Sequence, residues 1–198
     1  MNLNLTIPEV MILILISVII FSQIEAFSNE VTAVRSEVDG HKYVVLDLPD
    51  AEQAADKLAR LKAKLLTFVA HLDRKRLPSD IRKKIKRIQK RFKAVLTETR
   101  PSSKYTSYTV NKGTKIHMCI RERDENNRLI DENTLFFVAL HELAHVMTIS
   151  IGHKPAFWSN FKYLLQQAIK MGYYKYHPYH TNPKKYCGDE ISDTPLKL

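Results

Sequence analysis

The stretch from Leu140 to His153, LHELAHVMTISIGH, constrains the chain most, because it contains His141-Glu142-Leu143-Ala144-His145. At 3.6 residues per turn, His141 and His145 lie four apart on one helix face, so both imidazoles can reach one metal ion. Glu142 stands about 100° round the axis, where its carboxylate can hold a water on that ion without being a ligand. Metal-assisted peptide hydrolysis requires this set of residue types at this spacing.

A catalytic zinc takes three protein ligands and leaves a fourth position open to water. His153 is the candidate for the third, since Gly152 before it can adopt the left-handed conformation that turns a chain back beyond a helix end. If His153 does not serve, the ligand has to be sought at Glu190, His177, His180 or elsewhere.

HELAH, followed by Gly152-His153 and then Lys154-Pro155-Ala156-Phe157-Trp158, resembles the compact zinc peptidases of the WLM and SprT-like group. The likeness spans roughly residues 105–169. It implies a zincin-like domain in which Zn2+ sits on His141, His145 and His153, and Glu142 acts as general base. It also implies a protein or peptide substrate that adds to an edge strand just before the metal helix, a position that Lys115 to Ile120 matches. Members of that group include proteases that act on proteins attached to DNA.

With 198 residues, 44% of them hydrophobic, the chain can bury one ordinary core. Cys119 and Cys187 form no Cys-x-x-Cys motif, a single bridge between them is open but unsupported by their sequence context, and the compartment cannot be read from them. The net charge of +10 is concentrated: Lys57 to Lys93 holds fifteen Lys or Arg against Asp73 and Asp80. Such a segment suits nucleic acid, an anionic membrane surface or an acidic protein, with Lys83, Lys84, Arg87 and Lys90 as the expected phosphate contacts, or it is a solvated helix surface. No phosphate-binding glycine loop or Gly-x-Ser-x-Gly elbow occurs, which removes the usual nucleotide and serine-hydrolase alternatives.

Val10 to Phe21, VMILILISVIIF, is apolar but for Ser17, and with Ile7 and Ile24 the stretch reaches roughly the 17–20 residues a membrane helix needs, which predicts a single-pass membrane anchor. The competing reading is a signal peptide cut after Ala26, with secretion of the remainder, but the residues before the apolar run carry Glu9 and no Lys or Arg.

Residues 28–40 read as a linker, and His41 to Leu48 as a strand. Asp50 with Gln53 has capping-box spacing for a helix carrying Ala54, Leu58, Leu61, Leu65, Phe68 and Leu72. After Leu77-Pro78 a second helix places Ile81, Ile85, Ile88, Phe92 and Val95 among its basic residues, completing a hairpin of helices. Two strands are expected around Asn111-Lys112-Gly113, then the metal helix capped by Asp131, then a helix opening at Pro155 and stopped by Gly172. The tail from Tyr173 to Tyr186 offers phenols, with His177 and His180, any of which could stabilise an oxyanion or simply cover the helices.

The expected fold is α+β: a small zincin-like domain (101–198) with a short antiparallel or mixed sheet packed on the metal helix and its successor. A strand and basic helical hairpin (41–100), a linker (28–40) and an N-terminal membrane helix (1–27) precede it. The expected function is zinc-dependent peptide hydrolysis. Its rival is a nucleic-acid or membrane-surface binding protein with a structural zinc, against which Glu142 argues, because a structural site has no use for a carboxylate beside an open coordination position.

Overall fold

The computed structural model describes residues 6–28, 30–72 and 77–196. In chain order the elements are α1 (Ile7–Ser28), β1 (Val31–Arg35), β2 (Lys42–Leu46), α2 (Ala51–His71), α3 (Ser79–Arg91), β3 (Leu96–Glu98), β4 (Tyr108–Val110), β5 (Lys115–Met118), α4 (Glu132–Met147), α5 (Pro155–Lys170), β6 (Lys184–Tyr186) and β7 (Asp189–Ile191). The α+β class holds. A buried core runs without interruption from Tyr43 to Leu196, so the basic hairpin α2–α3 packs in the same interior as the metal-motif helix.

The central helix is α4, which buries residues all round its circumference, with α2, α3, α5 and β4 packed on it. Asp131 caps it as expected: Oδ1 accepts from the Thr134 backbone N–H at 2.9 Å and Oδ2 from the Thr134 hydroxyl at 2.7 Å. Pro155 opens α5 at the position where its missing N–H costs nothing.

The main sheet has the order β3-β5-β4, with β3 parallel and β4 antiparallel to β5. This corrects the expected edge strand. Lys115–Met118 is central, because the three residues of β3 pair with its far side, and β4 is the edge that faces α4. Residues 28–40, expected as a linker, contain β1, which pairs antiparallel with β2 from Val31↔Leu46 to Arg35↔Lys42.

The membrane anchor is not supported. Val10 to Phe21 lies within α1, but among the described residues no helix is long and apolar enough to cross a membrane. The apolar run from Val10 to Phe21, broken by Ser17, rises about 18 Å at 1.5 Å per residue, against a hydrocarbon core of about 30 Å, and extending it to Ile7 and Ile24 takes in Pro8, Glu9 and Gln23. The single-pass localisation falls with it.

A buried ion network ties the two halves of the chain together. Arg121 donates through Nε to Glu98 Oε1 at 2.8 Å and through Nη1 to Asp50, while Glu98 Oε2 accepts the Leu46 backbone N–H at 2.8 Å. Asp50 therefore makes no side-chain cap on α2, since its carboxylate is held by the guanidinium instead. Burial pushes the Glu98 carboxyl above its usual range, opposed by Leu46 and Arg121. Cys119 and Cys187, unremarkable in sequence, form a disulfide that pins the β6–β7 hairpin to the end of β5 across 68 residues. A cross-link over a loop of that size contributes about 4 kcal/mol in the chain-entropy account.

Much of the basic segment is used internally. Lys57 Nζ donates to Ile130 O, Lys62 pairs with Asp39, Arg60 with Glu132, Arg87 Nε donates to Val146 O, and Arg91 donates to the Asn111 and Lys112 carbonyls. Residues 73–76 of that segment lie outside the described residues.

Arg121→Met leaves Glu98 buried without its cation, and is predicted to lower the unfolding free energy in urea at pH 7 by about 3–5 kcal/mol. The double variant with Glu98→Gln should lose less. A loss below about 1 kcal/mol for Arg121→Met, the range of a surface pair, would contradict the network's role.

Candidate metal centre

Helical spacing places His141 and His145 on the one face of α4 that is not fully buried. The chain leaves α4 at Thr148, crosses a short loop, and returns His153 after Gly152, whose φ of +79° is the left-handed turn expected of it. His153 Nε2 then lies 3.1 Å from His145 Nε2 and 3.0 Å from His141 Nε2. Among the described residues this is the group able to hold a metal ion, and His177 and His180 are not part of it. His177 instead has its Nε2 2.7 Å from Asn182 O.

Phe157, from the first turn of α5, forms the floor. Its ring lies 4.8, 4.4 and 4.6 Å from the rings of His141, His145 and His153. The apolar floor and the mutual proximity of the imidazoles disfavour protonation. Burial, then His145 and His153, lowers His141 to about 3, and burial, then His153 and Lys112, lowers His145 to about 4. Neutral imidazoles are the form that ligates a metal, so no proton has to be displaced from these two near pH 7.

Glu142 is buried beside the triad, and its Oε2 has no hydrogen-bond partner among the described residues. Burial pushes its carboxyl up to about 8 against a hydrogen bond from the Thr109 backbone on β4. An unpartnered buried carboxyl oxygen is costly unless a water or ion completes it.

Two grooves meet at His141, Glu142 and Ser107. One, of about 520 Å3, runs along β4 past Tyr105, Tyr108, Lys112 and Ile151. The other, of about 270 Å3, is walled by Trp158 and Phe161 on one side and Tyr186, Glu190 and Asp193 on the other. A separate hollow of about 530 Å3 on the outer sheet face, near Thr97, Lys115 and His117, does not contain the triad. Of the tail tyrosines, Tyr186 reaches the grooves, where its hydroxyl donates to Cys119 O at 2.9 Å and meets Ser107 Oγ at 2.6 Å. Tyr179, by contrast, is part of the core. Glu190 borders the site without joining the triad.

Residues 64–195 match the WLM domain. An uncharacterized protein of Acanthamoeba polyphaga mimivirus is 32% identical over 192 residues, covering 96% of both chains. The chain belongs to the WLM domain family. The family is metallopeptidase-like and metal-dependent. An uncharacterized protein of Invertebrate iridescent virus 3 is 47% identical over 81 residues, 41% of this chain and 48% of that one. A crystal structure of a Wss1 mutant from Saccharomyces cerevisiae is similar at 20% identity and a TM-score of 0.47, over 66% of this chain and 92% of that one. The WLM match begins inside α2 and so includes the basic helix α3 as well as the metal motif.

Two features of this WLM site were not legible as site features in the sequence. Phe157 carries the spacing of a core residue, which it is, and nothing in the pattern distinguishes the floor of a metal site. Lys112 sits in what reads only as a hairpin turn, yet its ammonium reaches the end of α4.

His145→Ala and His153→Ala each remove one of three converging nitrogens. Both are predicted to lower affinity for Zn2+, measured by chelator competition, by at least roughly 100-fold, beyond what loss of a supporting partner costs. Full affinity in His153→Ala would move the third ligand elsewhere, with Glu190 the first residue to replace.

Proposed function

We propose that this chain is a zinc-dependent metallopeptidase with Glu142 as general base. The observation that supports it best is the convergence of three imidazole nitrogens beside a buried, unpartnered carboxyl oxygen in an open cleft. The donor set fits zinc: separations of 3.0 and 3.1 Å lie close to the edge of about 3.3 Å expected of a tetrahedron with bonds of about 2.0–2.1 Å. Bound there, the ion would supply an acidified water and a polarised scissile carbonyl.

The remaining work falls to the chain's own groups. Glu142 Oε2 takes a proton from water and returns it to the leaving amine, a role suited to a carboxyl oxygen beside the triad that has no other partner among the described residues. Strand β4 pairs on one side with β5 and presents its other edge to the cleft, where an extended peptide would lie. Tyr186 Oη, which donates to Cys119 O, and Ser107 Oγ, 2.6 Å from it, are held together as part of the cleft wall beside Glu142.

A polyanion is a second proposed partner. Arg87 and Arg91 are engaged with carbonyls, so the exposed Arg82, Lys83, Lys86 and Lys90 are the α3 groups that would meet phosphates. Of the four contacts expected from sequence, Lys83 and Lys90 stay in this set, Arg87 leaves it and Lys84 pairs with Asp80, while Arg82 and Lys86 join it.

Glu142→Gln keeps size and hydrogen bonding and removes the base. It is predicted to bind zinc as the parent does and to hydrolyse a casein substrate at least roughly 100-fold more slowly. Unchanged turnover at equal zinc content would exclude the assignment of Glu142.

A further inference from the structure

His141 and His145 are placed by a helix, but His153 stands on a loop that burial does not hold. The side chains of Ile149 and Ile151 on that loop are 80% and 82% exposed. Beside Gly152, a Cβ would meet nothing within 4 Å. Ring packing on Phe157 and Trp158 orients the His153 imidazole, but does not anchor the backbone between α4 and His153.

Lys112 supplies that anchor. Its Nζ donates to Ser150 O at 2.9 Å, to Thr148 O at 3.2 Å and, more weakly, to His145 O at 3.4 Å. One ammonium thus spans the last turn of α4, which carries His145, and the loop that leads to His153. The carbonyls at a helix C-terminus lack partners within the helix and carry negative partial charge, so a cation is the complementary cap.

Lys112 is itself held in place. It lies in the β4–β5 turn between Asn111 and Gly113, all three with positive φ. Arg91 ties down this turn, donating through Nε to Lys112 O and through Nη2 to Asn111 O, both at 3.1 Å. Gly113 O accepts the Lys93 backbone N–H at 2.9 Å, and a Cβ on Gly113 would come within 2.9 Å of Arg91 O. The turn is fixed to α3, and Lys112 carries that rigidity to the loop. Arg87, which donates to Val146 O, braces the same helix end from α3.

We infer that Lys112 is a positioning residue for the third ligand: its ammonium holds the loop so that His153 completes the triad. Because Lys112 lies in the turn that directly follows β4, the strand beside the cleft and the third ligand share one support. The inference rests on the reading of His141, His145 and His153 as a zinc site.

The test is a double-mutant cycle on the full chain, with Zn2+ affinity read by chelator competition and the metal-free melting temperature read alongside. Lys112→Met keeps the stem and the positive-φ backbone but removes the three donors. It should weaken zinc binding roughly 10- to 100-fold, as loss of a group that orients a ligand does. In a His153→Ala background the same substitution should cost no more than about twofold, because the ligand it positions is gone. If Lys112→Met does not yield folded protein, Lys112→Gln, whose amide falls short of Ser150 O, gives the same comparison. An equal loss in both backgrounds, or no loss in the parent, would overturn the role of Lys112 while leaving the zinc site standing. Failure of the parent chain to bind zinc would overturn both.

Discussion

The structure depends on keeping α4 dry on every side but one. Twelve residues of this helix are buried, Glu142 among them, and beyond its first turn His141 and His145 share the one face that is not. Surrounding a helix so fully takes several elements, and here α2, α3, α5 and the edge strand β4 each cover part of it. The wall that burial provides on three sides makes the fourth side a site. It holds two imidazoles at a fixed spacing, denies their protonation, and leaves a carboxyl group without solvent next to them.

What the sequence made legible was local. The four-residue spacing of His141 and His145, the cap at Asp131, the start of α5 at Pro155 and the turn at Gly152 each follow from rules acting over a few residues, and the structure has all of them. What was illegible depends on pairing between distant segments. β3 is three residues long, too short to carry a pattern, yet its parallel pairing with β5 moves the sheet edge to β4. Asp50 reads as a helix cap until Arg121, 71 residues away, takes its carboxylate. β1 looks like a linker because its pairing with β2, rather than its own composition, makes it a strand. The disulfide joins cysteines 68 residues apart with no motif around either. The apolar N-terminal run drew the membrane reading from its composition, and its length overturned that reading.

The basic segment shows how charge can mislead when counted along a chain. Lys57, Arg87 and Arg91 donate to backbone carbonyls in other parts of the fold, and with Lys112 of the β4–β5 turn three cations gather at the C-terminal end of α4 and the adjoining turn. A helix end that must be buried next to a metal site has carbonyls to satisfy, and long cationic side chains do this without bringing another backbone segment into the cleft. Part of the positive charge therefore belongs to the scaffold.

The central claim is that three imidazoles, one of them delivered by a loop, hold a zinc ion with a position left open. X-ray absorption at the zinc edge of the zinc-loaded chain tests it most directly. The account predicts three nitrogen neighbours with imidazole scattering at about 2.0–2.1 Å and one further light-atom ligand, with the imidazole count falling to two in His153→Ala. Sulfur neighbours, or an unchanged imidazole count in His153→Ala, would contradict it.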